Sequence, residues 1–311
     1  MNKLESKYKS ILSDYPSLFK INEIFRMNHR FSANIIDRCI PLFGEKWLVN
    51  FEKIVSSMFT NEDAVAAAVK GYSNFAINSM RLQAEFERTR KYKAKSYEQT
   101  SSEVYFNERH MMEEYLPGLL LSHFLWPHHY RQLQFFEGAF ISEMRVANAD
   151  SFVEVGIGTG LYSALLLRNL PDIRGVGIDI SPSSKKFTEV QLAGLGVSER
   201  YRVELRDITA TESPDPKASW IVCVEVLEHL DDPVAFLRSL RLCMAPGAKA
   251  FITAAVNAAH SDHIHLYRNG NEVLDHLNEA GFTMEQCYIG AAYKPTSVGV
   301  PVPEAAAFIV Y

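Results

Sequence analysis

Three sets of residues in this sequence are of types and spacings that could do chemistry. The first is the run S-F-V-E-V-G-I-G-T-G, Ser151 to Gly160, in which Glu154 precedes glycines at Gly156, Gly158 and Gly160. Glycine adopts positive φ without strain and lets backbone approach a ligand closely, so this turn reads as a nucleotide cradle. A pyrophosphate on such a turn would face the Glu154 carboxylate, and a cationic ligand without phosphate suits that acid better. The second is Asp179, with Ile180 beside it, nineteen residues beyond Gly160. Such folds place a carboxylate at about that distance to accept from both hydroxyls of a ribose. The third set is rich in imidazole: Glu225, Glu228 and His229 in E-V-L-E-H-L, then His260, Asp262, His263 and His265. Histidine titrates near neutral pH and is a natural base for a hydroxyl, an amine or an activated carbon, which makes His229, His260, His263 and His265 the candidate catalytic residues. His263 and His265, two apart on an extended backbone, would point to one side.

These groups need a scaffold, and the pattern around them supplies one. Phe152, Val153 and Val155 suit a buried strand and Leu161 to Leu170 a helix, so the glycine turn joins strand to helix. From Ser151 onward strands and helices alternate, the signal for a parallel sheet covered on both faces. Arg174 to Ile178, Tyr201 to Leu205, Trp220 to Val224 and Ala248 to Ala254 read as the next four strands. Ser181 caps a helix with Pro182 in its first turn. Pro233 to Met244 is an amphipathic helix before a Pro246-Gly247 turn, and Asn271 to Ala280 is a helix closed by Gly281. Phe282 to Gly290 and Ala305 to Val310 form a final hairpin-like pair around a loop from Lys294 to Pro303.

Before this region strand signals are few. Leu18, Ile21, Ile24 and Phe25 make one helical stripe, Phe51, Ile54, Val55 and Met58 another, and Asn61 is an N-cap candidate. The expected division is a helical cap over residues 1–145 and a sheet domain over 146–311. Within the cap, Tyr97 and Tyr105 have the apolar body and polar tip of a pocket wall. The dense segment H-F-L-W-P-H-H-Y-R, His123 to Arg131, breaks its helix at Pro127 and offers His128, His129 and Tyr130 as a pocket edge. These five are the candidate substrate-binding residues, although helix packing would use them equally well.

With 311 residues, 47% of them hydrophobic, the chain can bury a large core. A net charge of -5 gives no general attraction to nucleic acid or anionic membrane. The basic run Arg88, Arg90, Lys91, Lys93 and Lys95 reads as a solvated helix end. No apolar run approaches membrane-spanning length and M-N-K-L-E-S-K-Y-K-S lacks the apolar core of a signal peptide, so the cytoplasm is the expected compartment. Cys39, Cys223, Cys243 and Cys287 are far apart and form no C-x-x-C pair, so neither a disulfide nor a zinc cluster is expected of them.

The E-V-G-I-G-T-G string resembles the first motif of class I S-adenosylmethionine (SAM)-dependent methyltransferases. Arg206-Asp207-Ile208 follows the third strand where that family places an acid on the adenine amino group. E-V-L-E-H-L closely resembles the segment after the fourth strand in the ubiquinone-biosynthesis branch and related small-molecule methyltransferases. The resemblance covers residues 151–311. It implies a Rossmann-like class I methyltransferase sheet with helices on both faces, preceded by an all-helical N-terminal cap. It also implies SAM as cofactor, held by Glu154, Gly156, Gly158, Gly160, Asp179, Ile180, Asp207, Ile208 and Glu225. The expected reaction is methyl transfer to a small metabolite: an amino acid, a 2-oxo acid or a natural-product intermediate. A homodimer is compatible with the sequence.

E-x-x-E-H with a later histidine also resembles the magnesium site of small-RNA 2'-O-methyltransferases. The same string occurs in relatives that use no metal, where these residues cap a helix and border the cofactor, and no metal is expected. Three other readings stand beside the leading one: an RNA or protein methyltransferase that uses the basic run, a non-catalytic SAM-binding protein, and an NAD-dependent oxidoreductase, which Glu154 opposes.

Overall fold

The computed structural model describes residues 11–93, 96–210, 217–295 and 300–311. Seven strands among these residues form one sheet: β1 (Ser151–Val155), β2 (Arg174–Asp179), β3 (Tyr201–Leu205), β4 (Ala218–Cys223), β5 (Met244–Val256), β6 (Met284–Ala291) and β7 (Glu304–Val310). Their order is β3-β2-β1-β4-β5-β7-β6. The first five run parallel, and β7 lies antiparallel between β5 and β6. In the register Val153 sits between Val176 and Ile221. Strands covered on both faces must be apolar on both, which is why β4 and β5 read as nearly continuous hydrophobic runs.

Chain order reverses between β1 and β4, and ligands of such sheets bind in the crevice beyond the carboxyl ends at that reversal. The loops after β1, β2, β3, β4 and β5 all open there. Residues far apart in sequence, from Gly156 to His263, are thereby brought to one edge. The start of β5 differs from expectation, beyond shifts of one or two residues at the ends of other strands. Pro246-Gly247, with Gly247 at φ +74, is an irregularity inside the start of β5 rather than a turn before it, and the β4–β5 register shifts at that point. The expected loop from Lys294 to Pro303 lies partly outside the described residues, as does Lys95 of the basic run.

The helical part comprises α1 (Pro16–Asn28), α2 (Ile35–Met58), α3 (Glu62–Thr89), α4 (Tyr97–Glu103), α5 (Leu116–Leu125) and α6 (Pro127–Phe135). Asn61 caps α3, its side chain accepting from the Ala64 amide. Pro127 opens α6 directly after α5 ends, with Trp126 extended between them. The α5 helix is buried almost all round, including Leu116, Leu120, Leu121 and Phe124. It crosses α3 at Gly118, where a Cβ would stand 2.5 Å from the Phe75 Cβ.

The segment Phe136–Ile141 carries this packing onto the sheet. The Phe136 ring lies 4.8 Å from that of Phe251, and Phe140 lies 5.4 Å from Trp220. A single apolar core therefore runs from α1 through α5 to α7 (Leu161–Asn169), α8 (Pro182–Gly194) and one face of the sheet. The other face is covered by α9 (Pro233–Leu242) and α10 (Gly270–Glu279) through Leu237, Leu240, Val273 and Leu277. No helix among the described residues is long and apolar enough to cross a membrane.

Candidate active site

The strand-end loops close with α3, α5 and α6 around a cavity of about 670 Å³. One wall is the glycine turn. Gly156, Gly158 and Gly160 have φ +75, +50 and +73. At Gly156 a Cβ would meet Val226 Cγ2 at 2.4 Å, whereas at Gly158 the nearest atom is Leu119 Cδ2 at 3.8 Å. A side chain at Gly158 would thus project into the cavity itself.

Gly160 is the N-cap of α7 and has no side chain with which to satisfy that helix's first amides. Glu154 does so instead: its Oε2 accepts from the Ser163 amide at 3.0 Å and from the Ser163 hydroxyl. Burial pushes the Glu154 carboxyl up to about 8, against the lowering effect of those bonds. Glu154 borders the cavity, but its Oε2 serves the helix, a task that the expectation of a cation-facing acid did not include.

Asp179 ends β2 half-buried. Its Oδ2 accepts from the Gly158 amide at 3.2 Å and its Oδ1 from the Ser181 amide at 2.8 Å, so it braces both loops. Burial pushes its carboxyl up to about 6, and the amide bonds oppose the shift. The Ser181 hydroxyl donates to the Tyr105 carbonyl at 3.0 Å, tying this corner to the helical part. Asp207 is exposed, and its Oδ1 accepts from the amide and hydroxyl of Thr209.

Glu225 holds φ +52, uncommon for a residue with a side chain. Thr253 clamps it: its hydroxyl accepts from the Glu225 amide at 2.9 Å and donates to Oε1 at 2.6 Å. The wall thus combines the carboxylates of Glu154, Asp179, Asp207 and Glu225 with apolar Ile157, Ile180 and Ile208. Its guanidinium, Arg206, pairs with Glu204 at 3.3 Å. Acidic and apolar surface beside an open Gly158 fits a nucleoside that carries positive charge, such as SAM, and does not fit a pyrophosphate.

The opposite wall is built around Asp262, which is fully buried. Tyr115 donates to its Oδ2 at 2.7 Å and Tyr105 at 3.3 Å, while His260 Nδ1 lies 2.6 Å from Oδ1. Burial alone would raise this carboxyl, but the imidazoles of His229 and His260 hold it well below the usual carboxylate range. His229 Nδ1 lies 3.1 Å from the Asp262 carbonyl and His263 Nδ1 lies 2.6 Å from that of Ala258. His260 stacks its ring 4.7 Å from Phe75, and its Nε2 is buried without a partner.

Of the expected substrate residues, Tyr97, Tyr105, His128 and His129 line the cavity. Burial pushes His128 down to about 3 and its neighbour His123 to about 4, so this edge presents neutral imidazoles. Two expectations are corrected. Tyr130 does not face the cavity; its ring packs 4.7 Å from Phe43 in the helical core, because consecutive residues on α6 fan round the helix. His265 does not stand with His263. The amides of Ile264 and His265 both donate to the Glu228 carbonyl, which turns the chain, and the His265 ring packs 4.6 Å from Tyr267. Thr253, and Gln132, which lines the cavity and donates to the Tyr162 hydroxyl at 2.9 Å, went unflagged in the sequence. Nothing local marks them, since a strand threonine and a helix glutamine are ordinary in both contexts.

The family described as "Methyltransferase domain" matches residues 153–250. This stretch is a methyltransferase domain. The glycine wall is where this chain's residues would hold SAM. The chain is 32% identical over 101 residues to the ubiquinone biosynthesis O-methyltransferase of Xanthomonas euvesicatoria pv. vesicatoria (strain 85-10), covering 32% of this chain and 41% of that protein. It is 28% identical over 114 residues to the protein of the same name from Xylella fastidiosa (strain 9a5c), covering 37% and 45%. The chain thus spans less than half the length of these curated relatives.

Among solved structures, the mitomycin 7-O-methyltransferase MmcR aligns with a TM-score of 0.54 at 16% identity, over 79% of this chain and 71% of that one. NcsB1, an O-methyltransferase from neocarzinostatin biosynthesis solved with SAM and 2-hydroxy-5-methyl naphthoic acid, aligns at 0.50 and 16%, over 83% and 72%. At such identity the likeness is one of fold. Its extent exceeds residues 151–311, so it reaches into the helical part, where the sequence motifs show no resemblance.

Proposed function

We propose that the chain is a SAM-dependent O-methyltransferase acting on a small, largely apolar hydroxylated molecule, with His260 as the base. The observation that carries this reading is the His260–Asp262 pair. The imidazole is oriented through Nδ1 by a buried carboxylate that two tyrosines also hold, and its unpartnered Nε2 belongs to a residue lining the cavity. Bound SAM would supply a methyl group on a good sulfonium leaving group, so the protein must chiefly align the acceptor, exclude water and take a proton. Nε2 of His260 would take the hydroxyl proton, and Asp262 would fix the tautomer and offset the imidazolium charge. Phe75, Trp126, Met80 and Tyr72 give the acceptor side an aromatic and apolar lining, which favours a natural-product intermediate over an amino acid.

The relatives named as O-methyltransferases support oxygen as the acceptor atom. The division of labour, with residues 146–311 holding SAM and residues 1–145 the acceptor, is part of the same proposal. A methyl-release assay over hydroxylated aromatic compounds tests it. Turnover is expected for the unaltered chain, with His260→Ala lowering kcat by about 10²- to 10⁴-fold at nearly constant SAM affinity. SAM binding without turnover on any acceptor pool would favour the non-catalytic reading.

A further inference from the structure

We propose that Arg38 is the anion subsite of the acceptor, so that the favoured substrates carry a carboxylate at the end opposite the hydroxyl that is methylated. The acidic residues that line the cavity gather on or beside the glycine wall, among them Glu154, Asp179, Asp207 and Glu225. Two guanidiniums line it as well. Arg206 stands beside that wall and pairs with Glu204 at 3.3 Å. Arg38 lies on α2, on the acceptor side, and no carboxylate among the described residues pairs with it; the neighbouring Asp37 is taken by Arg26. Burial holds the nearby His123 and His128 neutral at about 4 and about 3, so they add no lasting charge there.

An arginine with a structural task is tied down. Arg200 donates to the carbonyls of Leu167, Leu170 and Ile173. The Arg38 guanidinium has no such bond among the described residues. Ile35, Arg38 and Leu42 share one face of α2 and all three line the cavity, so helix geometry sends this side chain to the cavity mouth. Burial raises the Tyr72 phenol, and the Arg38 charge is among the influences that oppose the shift, which sets the guanidinium near that phenol.

From there an aromatic wall leads to the base. Tyr72 accepts from Trp126 Nε1 at 3.0 Å, the Trp126 ring lies 5.7 Å from Phe75, and Phe75 lies 4.7 Å from His260. A flat acceptor lying along this wall with its hydroxyl at His260 would bring its far end to Arg38. Phe31, Leu42 and Met80, all exposed, form an apolar rim around the mouth that would shed water from the entering rings. The planar fork of a guanidinium matches a carboxylate with two parallel hydrogen bonds. A dianion such as a phosphate monoester would be repelled more strongly by the acids deeper in the cavity.

The choice of acceptor rests on the O-methyltransferase reading, whereas binding of the anion does not. The test uses the full chain loaded with S-adenosylhomocysteine and a panel of hydroxycinnamates and hydroxynaphthoates, each beside its neutral carboxamide. Binding is followed by calorimetry and by tryptophan fluorescence, and KM is measured for each pair with SAM. Acids should bind about 5-fold or more tighter than their carboxamides, a modest ratio because Arg38 is exposed. Arg38→Gln should remove that preference, Arg38→Lys should keep part of it, and Arg38→Glu should invert it. Acids and carboxamides that bind the unaltered chain equally would overturn the proposal, as would a preference that survives in Arg38→Gln or a failure of every acid to bind at millimolar concentration. Selective binding of acids without methyl release on any acceptor would count against the O-methyltransferase reading alone. Equal turnover of acids and carboxamides would leave that reading standing and sink the anion subsite.

Discussion

The two walls of the cavity are built in different ways. The glycine wall is local: Gly156, Gly158 and Gly160 lie on one turn, and Asp179 braces that turn through the Gly158 amide. The histidine wall is assembled over long distances, Asp262 meeting Tyr105 and Tyr115 from positions 157 and 147 residues away. Local geometry survives large changes elsewhere in the chain, whereas a long-range constellation needs the helical part and the sheet to share one core. On the proposed function, the cofactor end is the generic part of the molecule and the acceptor end the specific part.

Substitutions can break that contrast. The largest effect is expected at His260→Ala, where kcat should drop by about 10²- to 10⁴-fold in a methyl-transfer assay while SAM affinity stays within about two-fold. Asp179→Ala should do the reverse, weakening SAM binding by roughly 10- to 100-fold by calorimetry, the cost of one or two charge-assisted hydrogen bonds. Because Asp179 braces two loops from a half-buried position, some loss of stability should accompany it, and Asp179→Asn should lose less.

A smaller effect concerns pH. Burial pushes the Glu154 carboxyl up to about 8 in the folded chain, from an ordinary value of 4.5. The folded state therefore binds this proton more tightly than the unfolded state between those values, and stability falls as pH rises through that window. Glu154→Gln, which can still accept from Ser163, should flatten the dependence of the urea midpoint between pH 5 and pH 8. The smallest effect belongs to His265→Ala, whose turnover should stay within about two-fold of the unaltered chain, since its ring packs on Tyr267.

The same contrast explains what the sequence could show. Strand–turn–helix at Ser151 to Asn169 and the caps Asn61 and Ser181 depend on neighbours within a few residues, and periodicity and residue type reveal them. The task of Glu154 was hidden because its partner, Ser163, lies beyond the glycine turn, in the first turn of α7. Tyr130 was misplaced because residue type does not report which way a helix faces. His265 was misplaced because its backbone is turned by the distant Glu228 carbonyl rather than running extended. The helical part gave amphipathic stripes but no hint that Phe136 and Phe140 would dock on Phe251, a contact that only the folded sheet creates.

The most direct test of the account is calorimetric titration of SAM into the unaltered chain, Asp179→Ala and His260→Ala side by side. Saturable binding by the unaltered chain, similar affinity for His260→Ala and markedly weaker binding for Asp179→Ala are the expected results. An unaltered, folded chain that takes up no SAM at millimolar concentration would contradict it, as would equal losses in both variants.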